Sequence, residues 1–143
     1  MSIIAERQNK VVSEFDSHQK WEEKYKHIIN LGKKLSPLDE QYMIDDLKVK
    51  GCQSQVWLHA SLSDNNTLVL QADSDALIVK GLVSLLVRIY SNADLDEIMT
   101  AKLFFIEKIG LQSHLSPSRA NGLQAMIKQI KLYAYAYKVK LSS

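Results

Sequence analysis

The chain has one cysteine, Cys52, and its neighbours favour a reactive thiol over a buried one. It lies in the segment 50–55, KGCQSQ, where Gly51 frees the backbone to turn and polar residues follow. Most free cysteines behave as small buried hydrophobes, but this segment predicts a loop that presents the sulfur. A thiol reacts as the thiolate, which a positive or donor-rich setting stabilises. We expect the adjacent Lys50 to supply part of that charge.

Arg119 is the second candidate, because its charge lies in an unusual place. It falls in the first turn of the last predicted helix, where a cation opposes the helix dipole. One interpretation is a solvated surface charge. The functional interpretation is a docking or loop-positioning residue that serves an anion such as a thiolate, a persulfide or a partner carboxylate.

Two other kinds of cysteine chemistry remain open. His59 or His114 would act as the base of a cysteine hydrolase, although neither has a spacing typical of catalysis or metal binding. A thioester carrier similar to ubiquitin-conjugating enzymes would also use one cysteine. Those carriers are proline-rich and contain a His-Pro-Asn segment, whereas this chain has two prolines and no such segment. A non-catalytic adaptor with Cys52 buried is the third alternative.

Composition predicts an ordinary globular protein with a single domain over residues 1–143. The net charge is +2 and the basic residues are dispersed, so nothing indicates a nucleic-acid-binding face. No apolar run reaches the ~18 residues of a membrane helix, and the start MSIIAERQNK is unlike a signal peptide. We therefore expect a cytoplasmic protein.

The cysteine count also bears on metals and cofactors. One cysteine excludes an internal disulfide and a multi-cysteine zinc or iron–sulfur site. There is no Gly-rich phosphate loop. We expect the isolated protein to bind no metal and no cofactor.

Hydrophobic periodicity predicts two helices before Cys52 and a hairpin after it. A repeat of about 3.6 residues predicts helices over 3–16 and from about 17–19 to 35, and the sequence Ser36-Pro37 ends the second. Segment 39–50 is irregular, with at most one helical turn. Alternation on both sides of the turn cluster 63–66 predicts an antiparallel hairpin near 54–73.

A core helix is predicted from about 75 to 91. Its sequence is apolar nearly all round, which is typical of a helix inside the core. Asp73 or Ser74 is expected to cap it, and Asp75 suits the positive end of its dipole. Gly81 inside it predicts close contact with another backbone.

Helices are also predicted for the remainder of the chain. Short helices near 94–100 and 102–109 are followed by Gly110 as a stop. The last helix begins with Ser116 as its N-cap and Pro117 in its first position. The architecture is therefore α+β, with a small antiparallel sheet packed against several helices.

Aromatic residues are expected to contribute packing and not chemistry. Trp21 and Trp57 suit the core or a sheet face. Tyr133, Tyr135 and Tyr137 recur every second residue on a predicted helix, so the three cannot share one face. They predict packing followed by an exposed tail.

The segment around Cys52 closely resembles the active-site segment of the SufE family of cysteine-desulfurase partners. Four blocks carry the resemblance in order: WEEKY with INLG at 21–25 and 29–32, GCQSQVW at 51–57, DSD with IVKGL at 73–75 and 78–82, and LSPSR with GL at 115–119 and 122–123. The residues after the cysteine look more like SufE than like its relative CsdE. The chain departs from the family at Ala72, where glycine is common, and in its tail after Lys131.

The resemblance implies a SufE/IscU-like fold and a sulfur carrier. Cys52 would accept persulfide sulfur from a SufS-like cysteine desulfurase, stimulate that enzyme, and deliver sulfur to a SufBCD-like iron–sulfur scaffold. Pyridoxal phosphate would belong to the desulfurase, and this chain would have no independent turnover. Gly51, Gln53, Asp75 and Arg119 become candidate loop and docking residues. A homodimer is an open alternative, and no nucleic acid or membrane is expected as a partner.

A persulfide in open water would be lost to other thiols, so a carrier benefits from hiding it. We therefore expect Cys52 at a loop tip with its sulfur turned toward apolar side chains. The strand that starts near Gln55 has an apolar face, and segment 79–86 of the core helix would pack beneath that strand.

Overall fold

The computed structural model describes residues 2–142, which form helices around a small sheet. The elements are α1 Ile3–Asp16, α2 Trp21–Lys33, β1 Val56–Leu62, β2 Thr67–Ser74, α3 Leu77–Tyr90, β3 Ala93–Asp94, α4 Leu95–Thr100, α5 Phe105–Lys108 and α6 Pro117–Ser142. Between α2 and β1 the chain makes two short 3₁₀ turns, Glu40–Tyr42 and Asp45–Leu47. The predicted α+β class is confirmed. None of the helices in the described residues is long and apolar enough to cross a membrane.

The sheet has the order β1-β2-β3, with both pairs antiparallel. The predicted hairpin is confirmed, with Val56 opposite Ser74 at one end and Leu62 opposite Leu68 at the other. The third strand was not predicted, because two residues are too few to show alternation. Asn92, with φ of 65°, turns the chain so that β3 pairs with the start of β2.

α3 lies at the centre of the core. α3 packs against α1, α2, α6 and β2, and most of its residues are buried. Leu58 of β1 and Leu68 of β2 are fully buried from the sheet side. The prediction of a central helix is confirmed, apart from Leu77, which lies exposed in its first turn.

Gly81 makes the close contact between backbones that its position predicted. A Cβ placed on Gly81 would lie 2.1 Å from the carbonyl oxygen of Ile28 in α2, far inside contact distance. A Cβ on Gly32 would lie 2.7 Å from the backbone nitrogen of Gly81. These two glycines therefore let α2 and α3 approach closer than any side chain would allow.

The predicted cap of α3 is wrong. Ser74 is the last residue of β2, and Ala76 occupies the N-cap with no side-chain hydrogen bond. The pairing of Ser74 with Val56 keeps the chain in the strand for longer than the capping pattern suggested. Asp73 instead forms a 3.2 Å ion pair with Lys80.

The start of α6 agrees with its sequence signal. Ser116 accepts a 3.3 Å hydrogen bond at Oγ from the backbone N–H of Arg119, and Pro117 is the first helical residue. Gly110 adopts a left-handed φ of 80° just after α5, as expected of a helix stop. The first turn of α6, including Arg119, is thereby fixed beside the start of β1.

Candidate functional site

Cys52 lies between the start of β1 and the first turns of α6. Gly51 has a φ of 95°, which favours glycine, and this turn directs the chain so that Cys52 faces α6. The thiol of Cys52 donates to the carbonyl oxygen of Gly122, with a sulfur–oxygen distance of 3.5 Å. The cysteine is half-buried. Cys52 therefore lies on a loop, as expected, and the contact of its sulfur in this direction is with the backbone of α6.

Gly122 makes room for that sulfur. A Cβ at Gly122 would lie 3.3 Å from Sγ of Cys52, tighter than ordinary contact. Sequence reasoning did not assign this glycine a role, although it lies in the GL pair of the last resembling block. A glycine inside a well-formed helix is the signal that was available, since it costs helix stability unless something packs close to it.

A cavity of about 490 Å³ opens beside Cys52. Its apolar wall comes from α3 and α6, and its polar rim comes from the Cys52 loop and the start of α6. The lining residues are Cys52, Gln53, Ser54, Val79, Leu82, Ser116, Ser118, Arg119, Gly122 and Met126. The predicted segment 79–86 does contribute this wall, through Val79 and Leu82. The thiol thus faces space large enough for additional atoms.

Burial raises the pKa of the Cys52 thiol, because removal from water disfavours the thiolate. The contribution expected from Lys50 is not found. Lys50 is exposed and lines a separate groove with Lys48 and Lys128, and Cys52 is not part of that groove. In the free protein, burial therefore favours the protonated thiol of Cys52, which is less reactive than the thiolate.

Arg119 and Gln53 are brought to the same cavity as Cys52. Arg119 is exposed, and its guanidinium forms no ion pair with any carboxylate of residues 2–142. Its positive charge stands at the rim, available to an anion. A role for Arg119 in docking or loop positioning remains a prediction.

Asp75 lies outside the cavity and holds the end of the loop. Its carboxylate accepts hydrogen bonds from the backbone N–H and the side-chain amide of Gln55, at 3.0 and 3.2 Å. Ser74 adds a 2.8 Å bond from its hydroxyl to the carbonyl oxygen of Gln55. These contacts fix the chain three residues beyond Cys52, so Asp75 acts on the loop and does not touch the thiol.

The two histidines proposed as bases are elsewhere. His59 stacks on Tyr42 with ring centroids 3.8 Å apart, and His114 stacks on Trp21 at 4.3 Å. Neither lines the cavity at Cys52. In the described part of the chain no three His, Cys, Asp or Glu side chains gather where a metal ion would bind. The site is therefore a lone thiol with an apolar wall and a cationic rim.

The fold and the site together describe an α+β protein with a single half-buried cysteine that lines a cavity. A family model, the SufE Fe–S metabolism associated domain, matches residues 9–134. The chain belongs to this family and is associated with iron–sulfur metabolism. Its fold is similar to the solution structure of a hypothetical protein from Thermus thermophilus, with a TM-score of 0.75 and 19% sequence identity. That likeness covers 96% of this chain and 97% of the other, and at this identity it shows the fold alone.

Proposed function

We propose that Cys52 accepts a sulfur atom from a cysteine desulfurase and passes it on for iron–sulfur cluster assembly. The observation that carries this proposal is the cavity of about 490 Å³ that the single thiol faces. A persulfide needs room for one more sulfur and protection from other thiols, and the cavity supplies both. Family membership supplies the link to iron–sulfur metabolism.

The transfer is an exchange at sulfur. The Cys52 thiolate attacks the outer sulfur of a persulfide on the donor enzyme, in the manner of thiol–disulfide exchange. A new S–S bond forms at Cys52 while the donor's S–S bond breaks. The electron pair leaves with the donor cysteine, which takes up the proton that Cys52 released, so no outside oxidant or reductant is consumed.

The walls of the cavity suit this product. Val79, Leu82 and Met126 form an apolar inner wall, which would shield a bound persulfide between encounters. Arg119 at the rim offers a positive charge to an anionic sulfur or to a partner carboxylate. Because burial opposes thiolate formation, Cys52 becomes reactive when the partner moves the loop outward or brings positive charge to it.

The proposed partners are those that the resemblance to the SufE family implies. The donor is a SufS-like desulfurase, which carries the pyridoxal phosphate and which this protein stimulates by removing its persulfide. The acceptor is a SufBCD-like scaffold. We place the exchange in the cytoplasm, where thiols are kept reduced.

Incubation with a cysteine desulfurase and cysteine should add one sulfur atom to Cys52. The measurement is the mass of the intact protein, followed by peptide mapping of segment 50–55. Cys52→Ser is the matched variant, since it keeps the size of the side chain and removes the nucleophile. No mass gain, or an equal gain in Cys52→Ser, would contradict the carrier function.

The hydrolase and thioester alternatives are tested on the isolated protein. Within the described residues no base lies at Cys52, since His59 and His114 are engaged in ring stacks away from the cavity. We therefore expect no turnover of thioesters or peptides without a partner. Turnover that Cys52→Ser abolishes would favour a hydrolase.

A further inference from the structure

The free edge of the sheet is the feature that the proposed function leaves unexplained. In the order β1-β2-β3, one side of β1 has no neighbouring strand in the sheet, and only an isolated antiparallel bridge between Lys48 and Trp57 covers the start of that side. Such an edge offers unpaired backbone groups to any other chain, and proteins usually guard it with charges or proline. The sequence of β1, VWLHASL, contains no Lys, Arg, Asp, Glu or proline. Something else must guard this edge.

Side chains from α6 occupy its acceptors. In an antiparallel pair, alternate residues point both backbone groups away from the partner strand. The hydroxyl of Tyr133 donates to the carbonyl oxygen of Leu58 at 2.9 Å, and that of Tyr137 donates to the carbonyl oxygen of Ala60 at 3.1 Å. At the start of the strand, the backbone N–H of Val49 donates to the carbonyl oxygen of Val56 at 2.8 Å. Three successive outward carbonyls of β1 are therefore satisfied, two of them by tyrosine.

The geometry explains why tyrosines four residues apart are needed. Two residues along a strand advance about 6.8 Å, and four residues along a helix advance about 6 Å. Tyr133 and Tyr137 thus match the repeat of Leu58 and Ala60. Tyr135, between them on the sequence, points to the other side and is 59% exposed. Tyr133 and Tyr137 therefore share one face of α6, although the three tyrosines taken together do not.

The last turns of α6 also contact α4. Lys138 forms a 2.8 Å ion pair with Asp96 of α4, against which α6 packs. The part of the chain that the family model matches ends at residue 134, so Tyr137 and Lys138 belong to the tail beyond it. The tail is thus anchored on α4 while it covers β1.

We propose that the C-terminal turns of α6 close the edge of β1 against pairing with a second copy of this chain. A second copy is the natural occupant, because two identical antiparallel strands are self-complementary about a twofold axis. An approaching β1 would need the Leu58 and Ala60 carbonyls, and the tyrosine hydroxyls already occupy them. The tail after Lys131 therefore keeps an uncharged strand edge from self-association.

The test compares the Tyr133→Phe/Tyr137→Phe double variant with the unchanged protein and with Tyr135→Phe. The double variant loses only the two hydroxyls, and the control loses an exposed hydroxyl from the same helix. Light scattering across a concentration series should show the double variant approaching twice the mass of the unchanged protein. The mass of Tyr135→Phe should follow that of the unchanged protein.

Amide hydrogen exchange locates the contact. The N–H group of Ala60 faces the same edge, beyond the bridge between Lys48 and Trp57, so its exchange should slow as the double variant associates. A folded double variant that keeps the mass of the unchanged protein at every concentration overturns the proposal, and so does association that leaves the exchange of the Ala60 amide unchanged. Circular dichroism establishes folding. If the double variant does not fold, Tyr133→Phe and Tyr137→Phe decide separately by the same two readings.

Discussion

The proposed sulfur transfer would place two opposing demands on the thiol of Cys52. Attack on a donor sulfur needs the thiolate, whereas protection of the product needs burial, and burial raises the pKa of this group. The structure of the free protein satisfies the second demand, with Sγ against the carbonyl oxygen of Gly122. The first must then be met by the partner, through movement of the loop or through charge brought to it.

Alkylation of Cys52 should therefore be slow in the free protein. Because the pKa is raised, less thiolate is present at any given pH, and the midpoint of the rate–pH curve should lie above that of the protein in denaturant. A catalytically inactive desulfurase should increase the rate at neutral pH. Labelling is followed by mass spectrometry. Fast labelling that neither denaturant nor the desulfurase changes would rule out shielding, although Cys52 could still be the carrier.

Gly81 and Gly122 permit close contacts with two different kinds of neighbour. At Gly81 the neighbour is the backbone of α2, which cannot move without moving the helix, and a Cβ would lie 2.1 Å from the oxygen of Ile28. At Gly122 the neighbour is a side chain, Sγ of Cys52, at 3.3 Å from a Cβ. The same substitution should then have different consequences at the two positions.

Gly81→Ala should destabilise the protein by about 3 kcal/mol or more, the cost of overpacking a rigid contact. Gly122→Ala should change the free energy of unfolding by no more than about 1 kcal/mol, because alanine favours the helix and the sulfur can shift. Urea unfolding measures both, and each is a glycine-to-alanine change inside a helix. Equal effects of the two substitutions would contradict the assigned contacts.

At the scale of the whole molecule, one carboxylate connects the first three helices. Glu14 of α1 forms an ion pair with Arg88 of α3 and a 3.3 Å hydrogen bond with His27 of α2. The Arg88 side chain lowers the pKa of Glu14, with a smaller contribution in the same direction from His27. The ionised form is therefore favoured by folding.

Glu14→Gln should lower stability at neutral pH and lose its effect in acid. A depressed pKa in the folded state adds stability above the unfolded pKa, and that stability disappears as the pH falls through the folded value. Since the groups are partly exposed, we expect less than about 1 kcal/mol. Thermal unfolding from neutral to acidic pH measures it, with the exposed Glu6→Gln on the same helix as control. A difference that grows in acid would contradict the assignment.

The sequence determined what depends on neighbours along the chain. Periodicity located the helices and the hairpin, Gly81 predicted a close backbone contact, and Ser116 with Pro117 predicted the start of α6. The lone cysteine between a glycine and polar residues predicted a thiol on a loop. These features are readable because local conformation and burial depend on residues within a few positions of one another.

Tertiary structure decided which distant residues meet. Gly122 lies 70 residues from the cysteine whose thiol it accommodates, and Tyr133 lies 75 residues from the carbonyl of Leu58. Asp75 meets Gln55 across the ends of the hairpin, and Lys50 lines a groove that does not include Cys52, its neighbour but one in the sequence. No pattern along the chain encodes these relations, because they follow from how α6, β1 and α3 pack. The residues next to Cys52 in the sequence thus point to a reactive thiol, whereas the shielding of that thiol depends on how distant elements pack around it.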